Sequence, residues 1–448
     1  MRFSSLAYAA CSGLLATTVE AAITLDTSST DSIKAAASSV AKDMMTFYSG
    51  DKPGGTPGLL PGPYFWWEAG AMFGSLIDYW YYTGDTTYND LVTTALQFQV
   101  GPSADYMPPN QTKDEGNDDQ GFWGMAVLSA AEAKFPDPPS GQPGWLALGQ
   151  AVFNTQAPRW DTTTCNGGLR WQIFQFNNGY NYKNAISNGC FFNMAARLGR
   201  YTGNQTYLDW ADKTWNWVEA IGLASPDYHF YDGTDDTINC TQVNHIEWTY
   251  NTGVYLYGAA MMWNATQDAK WQTRITTILK TASIFFVNGV MKEVACEDAG
   301  NCDTDQVSFK AHLSRWMAAT TKVAPFTAAT ILPLLTSSAT QAVKTCTAGA
   351  SQSMCGEKWT TGTYDGNGGV GEQMSVLQVI QANLITGAPP PVTANTGGTS
   401  KSDPSAGGSQ AKTVSLNAIT TSDRAGAGIL TTVILIAMLS GSWWMSRK

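Results

Sequence analysis

Tyr82-Thr83-Gly84-Asp85-Thr86-Thr87-Tyr88 recurs as Tyr201-Thr202-Gly203-Asn204-Gln205-Thr206-Tyr207, and a looser copy stands at Trp263-Asn264-Ala265-Thr266-Gln267-Asp268-Ala269-Lys270-Trp271. Each copy follows one helix and opens the next with an aromatic residue. Working outward from these turns, helical signals recur along the chain, whereas strand alternation is hard to find. Helix starts are expected near Ser28, Phe65, Thr86, Asp118, Trp145, Asn184, Thr206, Glu247, Lys270, Asp305, Thr327 and Gly369. A second pattern overlies the first. A polar side chain stands two residues before a Gly at Glu68/Gly70, Asp119/Gly121, Ser187/Gly189, Asn251/Gly253 and Asn367/Gly369, and one further unit is expected near Phe309 to His312. Hairpins of about 60 residues, six in all, follow from that spacing. The chain is therefore expected to be all-α. A closed ring of six inner helices inside six outer ones is the economical way to bury helices that are apolar on nearly every face. The alternative is that each Gly only permits close helix packing and the polar residues are separate caps.

In the ring, the polar residues gather at one end, where a single pocket would collect Glu68, Asp118, Asp119, Asn188 and Asn251. The stretch Asn117-Asp118-Asp119-Gln120-Gly121-Phe122-Trp123-Gly124 opens a helix that runs on through Met125, Ala126, Val127 and Leu128 to about Phe135. That helix is too apolar to lie outside the core. Asp118 and Asp119 occupy its first turn, facing free backbone N–H groups and the positive end of the dipole. One Asp in this place is ordinarily an N-cap. A second beside it buries like charge at a cost few folds accept without a function, so the pair reads as an active site.

The ends of the chain read as targeting segments. Residues 1–21 have the layout of a secretory signal: Arg2, an apolar run to Ala16, then the small-residue site Val19-Glu20-Ala21. Residues 22–387 are expected to fold. Residues 388–424, rich in Pro, Gly, Ser and Thr, read as a disordered stalk that includes the anchor-attachment region around Ser405-Ala406-Gly407-Gly408-Ser409. Residues 425–448 hold a hydrophobic run followed by Arg447 and Lys448, the layout of a glycosylphosphatidylinositol (GPI) signal. A single-pass span is the alternative. The expected location is the cell surface, with the membrane reached through a lipid anchor. Sequons at Asn110, Asn204, Asn239 and Asn264 agree with passage through the secretory pathway.

Composition narrows the function further. Aromatic residues make up 12% of the chain, with 17 Trp, more than a core of this size needs, and surface aromatics are natural stacking platforms for sugars. A net charge of −10 and the lack of any Lys/Arg-rich run argue against nucleic acid. With Cys11 in the signal, seven cysteines remain, so at least one is unpaired. Cys190, in an apolar helix start, is the expected free thiol. Cys296 with Cys302 and Cys346 with Cys355 close short loops, leaving Cys165 with Cys240 as the long-range bridge. The three His residues lack zinc-ligand spacing, and no metal or cofactor is expected. Two carboxylates without a nucleotide motif then leave glycosidic-bond chemistry, one group protonating the leaving oxygen and the other attacking the anomeric carbon or activating water. Adjacent residues on a first helical turn diverge by about 100°. Their carboxyls would end roughly 5–6 Å apart, closer to the retaining than the inverting geometry.

Asn117-Asp118-Asp119-Gln120, Tyr64-Phe65-Trp66-Trp67-Glu68-Ala69-Gly70 and His245-Ile246-Glu247-Trp248-Thr249-Tyr250-Asn251-Thr252-Gly253 together resemble glycoside hydrolase family 76, the endo-α-1,6-mannanases, and within it the fungal membrane-anchored cell-wall branch. The resemblance spans about residues 25 to 387 and implies an (α/α)6 barrel. It implies Asp118 as nucleophile and Asp119 as acid/base, and an α-1,6-mannan or GPI-glycan substrate. It also implies transfer of anchored mannoproteins to wall glucan as an alternative to hydrolysis. Trp66, Trp67, Trp123, Trp171, Trp248 and Tyr250 are candidates to stack on mannose rings. Glu68, Asn117, Gln120, Asn188, Asp232 and Asn251 are candidates to bind hydroxyls. A monomer is expected. A mannan-binding wall protein without turnover, or another six-hairpin carbohydrate enzyme, are the competing readings.

Overall fold

The computed structural model describes residues 23–407, together with 431–432 and 438–440. Twelve α-helices follow in chain order: α1 (Thr30–Met44), α2 (Trp66–Thr83), α3 (Asn89–Phe98), α4 (Asn117–Ala133), α5 (Trp145–Gln156), α6 (Ala185–Thr202), α7 (Gln205–Ala220), α8 (Thr249–Thr266), α9 (Ala269–Thr281), α10 (Phe309–Val323), α11 (Ala328–Ala342) and α12 (Val370–Gln381). Each begins within a few residues of its expected start. The even-numbered helices form the inner ring: α2 packs on α4, α4 on α6, α6 on α8, α8 on α10, α10 on α12, and α12 closes back on α2. The odd-numbered helices lie outside them, and α1 packs chiefly on α12. This is an (α/α)6 barrel.

The repeated turns and the repeated glycines account for the ring by different means. Gly84 (φ 76°) and Gly203 (φ 71°) end α2 and α6 in the left-handed conformation, donating their N–H groups back to Trp80 O and Gly199 O. In the third copy Gln267 takes that conformation without the benefit of Gly. Asn204 and Asp268 then cap the following helices through Thr206 N and Lys270 N. The glycines of the second pattern are points of close approach. A Cβ on Gly70 would strike the Trp123 ring, on Gly121 it would meet Cys190, on Gly189 Val254, and on Gly253 Trp316, all within 2.8 Å. Four of the six inner-ring contacts, α2–α4, α4–α6, α6–α8 and α8–α10, are thus seated through a missing side chain. The glycines serve close packing, and of the polar residues paired with them Glu68 and Asp119 accept from the backbone N–H groups that open α2 and α4.

Two features depart from the expectation. A three-stranded antiparallel sheet of β1 (Tyr182–Asn184), β2 (Tyr231–Asp235) and β3 (Val243–Glu247) stands beside the ring. Strands of three to five residues are too short to show alternation. The second departure concerns the expected stalk, whose part at 388–407 is not a free linker. It runs along the helical domain: Val392 N donates to Glu132 O, Ala394 N to Tyr201 O, and Arg200 donates to Pro391 O and Val392 O. Farther on, Ser400 Oγ accepts from Leu146 N at 2.9 Å. It thereby caps α5, whose own N-cap, Gly144, has no side chain to offer. The buried Gln150 bonds Ser402 and Asp403, and Asn154 donates to Pro404 O and Ala406 O. A polar composition reads as disorder, yet here its hydroxyls and carbonyls match polar groups on α5 and α6. The signal at 1–21, the attachment region beyond 407 and nearly all of 425–448 lie outside the described residues. Among those described, no helix is long and apolar enough to cross a membrane.

The three disulfides are Cys165–Cys240, Cys296–Cys302 and Cys346–Cys355, and Cys190 is free and buried, each as expected. Of the sequons, Asn110, Asn204 and Asn239 are exposed. Asn264 is half-buried inside α8, with its amide donating to Val323 O and accepting from Arg200.

Candidate active site

The inner helices all begin at one end of the ring, and a cavity of about 580 Å3 opens there. Phe65, Trp66 and Trp67 come from the start of α2, and Asp118, Asp119 and Phe122 from the start of α4. The loop ahead of α4 adds Gln111, Asp114 and Glu115. Opposite them stand Trp171, Gln172, Tyr182, Asn184, Asp232, Trp248, Tyr250, Asp305, Gln306 and Phe309. No lysine, arginine or histidine is among the lining residues. The aromatic wall is braced by its own polar tips: Trp67 Nε1 donates to Asp305 Oδ1 at 2.8 Å, and Trp248 Nε1 to Asp232 Oδ1 at 2.9 Å. Tyr250 stacks on Phe309 with ring centroids 3.7 Å apart.

Asp118 and Asp119 share the first turn of α4 but hold different partners. Asp119 Oδ2 accepts from Gly116 N at 2.5 Å, the reciprocal arm of a helix N-cap. Asp118 Oδ1 accepts from Asp119 N at 3.1 Å, and its Oδ2 faces the Asn184 amide at 3.4 Å. Burial raises the Asp118 carboxyl to about 7, against the pull of these hydrogen bonds. Asp119 is held well above the usual carboxylate range, first by burial and then by the negative charge of Asp118. Two carboxyl groups so placed share protons unequally: the one with the higher affinity keeps its proton while the other ionises. Asp305 is raised to about 6, mainly by burial, and its charge bears on both members of the pair. Glu115 is raised strongly by burial and by Asp119, and its carboxylate has no partner among the described residues.

Of the residues singled out in the sequence, Trp66, Trp67, Asp118, Asp119, Trp171, Asp232, Trp248 and Tyr250 line the cavity. Glu68, Asn117, Gln120, Trp123, Asn188 and Asn251 do not. Glu68 is fully buried, caps α2 through Phe65 N, and is raised to about 9 by burial. Asn117 and Gln120 face the outer layer, where both accept from Arg159 Nη1 at 2.8 Å. Asn117 also donates to Arg170 O, and its backbone N–H to Trp171 O. Trp123 is enclosed between Trp66 and Tyr106. Asn188 fixes the segment at Leu169 by bonds to both its N–H and its carbonyl. Asn251 is wholly buried and its side-chain amide makes no hydrogen bond among the described residues. The helical step explains the division: on α4, positions 118, 119 and 122 face the cavity, and 117 and 120 face away. Asp305, Glu115, Asn184 and Tyr182 also line the cavity; Asn184 and Asp305 were expected only as helix starts, and Glu115 and Tyr182 lie in a loop and a three-residue strand where no period marks them.

A toroid of paired helices whose mouth sets two neighbouring carboxylic acids of unequal proton affinity among tryptophans is a glycosidase architecture. The chain belongs to glycosyl hydrolase family 76, whose profile matches residues 32–395. It is 47% identical to the mannan endo-1,6-alpha-mannosidase DCW1 of Eremothecium gossypii, with 94% of this chain and 95% of that protein covered. Among solved structures it is similar to Dfg5 from Chaetomium thermophilum in complex with glucosamine, with TM-score 0.83 and 47% identity over 85% of this chain and 97% of that one. It shares its fold with an inactive variant of the α-1,6-mannanase GH76A of Salegentibacter sp. HEL1_6 in complex with α-1,6-mannotriose. That match has TM-score 0.64 at 18% identity and covers 79% of this chain and 99% of the other.

Proposed function

We propose that this chain is a mannan endo-1,6-α-mannosidase that works by double displacement. The observation that carries the reading is the adjacent pair on α4, with the Asp119 proton held more tightly than that of Asp118. The Asp118 carboxylate attacks the anomeric carbon while Asp119 gives its proton to the departing glycosidic oxygen. A covalent glycosyl ester results, and the leaving sugar departs neutral. Asp119, now a carboxylate, takes a proton from the incoming hydroxyl, whose oxygen displaces Asp118. With water the outcome is hydrolysis; with a sugar hydroxyl it is transfer to a new chain. Support comes from the names of the relatives, and from the bacterial α-1,6-mannanase, whose inactive variant carries two successive Asp-to-Asn replacements.

The same reading places the enzyme at the cell surface in wall biogenesis. There it acts on α-1,6-mannan or a GPI glycan, with wall glucan as an acceptor, and is held to the membrane by a lipid anchor. Incubating the purified domain with an α-1,6-mannan oligomer, with and without a glucan oligomer, and sizing the products tests it. Shortened mannan alone shows hydrolysis, a mixed product shows transfer, and unchanged mannan in both refutes the reading. Inositol-specific phospholipase should release the protein from membranes; release by detergent only, with Trp443-Trp444 retained, would show a spanning segment instead.

A further inference from the structure

Beside the catalytic cavity lies a second concavity of about 610 Å3, which shares Trp171, Tyr182 and Asp232 with it. The catalytic cavity falls within the range typical of enclosing ligand sites, ~300–1,000 Å3, and the second concavity is shallower and more open to solvent. Trp171 stands at the junction, 37% exposed. Its ring is backed by Gly179, where a Cβ would fall 2.2 Å from the indole. Gly179 has φ +91°, so the tight turn behind the ring both needs glycine and leaves room only for it. The segment is locked to the acid pair, since Trp171 O accepts from Asn117 N at 2.8 Å and Trp171 N donates to Tyr182 O at 2.6 Å.

The remaining wall carries no cation. Its two carboxylates are engaged within the fold: Asp232 accepts from Tyr182 Oη at 2.6 Å and from Trp248, and Asp235 accepts from Thr237 N at 2.8 Å. What is left facing solvent are amides. Gln175, Asn178 and Asn181 are exposed, and their side chains have no hydrogen-bond partner among the described residues. An amide offers donor and acceptor together, the pairing that a sugar hydroxyl also presents. A phosphorylated or sulfated chain would meet carboxylates with no compensating base. A flat aromatic face bordered by free amides suits a neutral ring bearing hydroxyls.

We propose that this groove is a distal subsite for a neutral hexose chain, with one ring on Trp171 and the following hydroxyls on the amides of 175–181. The inference rests on the glycan-processing function above. Two sources supply a chain of this chemistry: a continuation of the α-1,6-mannan being cleaved, or a separate β-linked glucan.

The test uses Asp119→Asn protein, whose turnover is slowed ~10²–10⁴-fold, with and without the triple change Gln175→Ala, Asn178→Ala, Asn181→Ala. The parent and the triple variant should share a thermal midpoint, as these side chains hold nothing in the fold. Calorimetric titration with an α-1,6-mannobiose, an α-1,6-mannohexaose and a β-gluco-hexaose reads the affinities. Loss of about tenfold for a hexaose, with the disaccharide unchanged, is expected from three lost hydrogen bonds. The hexaose that responds identifies the source. Equal hexaose affinities in the two proteins overturn the subsite, even if the wild-type enzyme cleaves mannan. If the parent binds neither hexaose and the wild type leaves mannan intact, the substrate reading falls along with it.

Discussion

At the scale of single residues, the mechanism turns on which member of the pair keeps its proton. Asp119→Asn should cut turnover on natural substrate by ~10²–10⁴-fold, and far less on a substrate with an activated leaving group, which needs little protonation. Asp118→Asn should fail on both, since no carboxylate remains to form the ester. Steady-state rates on the two substrates check this, and equal losses for Asp119→Asn would reverse the roles. The pH profile follows from the same groups. Asp118 must be ionised, so kcat/KM should rise with pH through about 7 and decline above, where Asp119 loses its proton. Asp305→Asn keeps an acceptor for Trp67 but removes a negative neighbour that raises Asp118. The acid limb should therefore move to lower pH, and an unmoved limb would show Asp305 to be silent. The adjacent carboxylates were readable in the sequence because two Asp side by side in an apolar helix start are costly without a use. Asp305 was not, because a single Asp before a helix looks like any cap.

At the scale of elements, the starts of the inner helices build the site, and the stretches between them decide how firmly it is held. The thirteen residues of α9 or the fifteen of α10 carry enough apolar spacing and turn chemistry to be placed from sequence. Orientation within an element was harder. Asn117, Gln120 and Trp123 share the first two turns of α4 with the acids, and one helical step of about 100° turns them away. Asn117 nonetheless matters, as it ties the Trp171 segment to α4 and accepts from Arg159. Asn117→Ala leaves part of that guanidinium and the Arg170 carbonyl without partners. It should cost about 1–3 kcal/mol of stability and raise KM more than it lowers kcat. Urea unfolding and steady-state kinetics check the two parts, and an unchanged KM would show that Trp171 is held by its backbone alone.

At the scale of the whole molecule, the strap at 388–407 binds the ends of α2, α4 and α6 opposite the cavity, then the flank of α5. Ending the chain after Gly387 strips the cap from α5 and leaves buried Gln150 only Tyr207 of its three partners. The thermal midpoint should fall, with kcat/KM on short substrates kept. A midpoint equal to that of the longer chain would mean the strap contributes nothing. Its composition hid it, because burial of Gln150 and the bare Gly144 cap are visible only once the helices are placed.

Closure of the ring by α12 on α2 also sets a clock. In the cell, the seam on α2 stays open until the last inner helix is synthesised, nearly 300 residues later, roughly 15–60 s at ordinary elongation rates. During that interval the nascent chain shows an apolar flank, and if the chain is secreted, as proposed above, that flank faces the secretory lumen. In that proposed setting the Asn264 amide would be open to a glycosyltransferase only until Val323 arrives to accept from it. Whether that sequon carries sugar would then be decided by a race between modification and translation. A slower ribosome should yield more heavily glycosylated enzyme from the same gene.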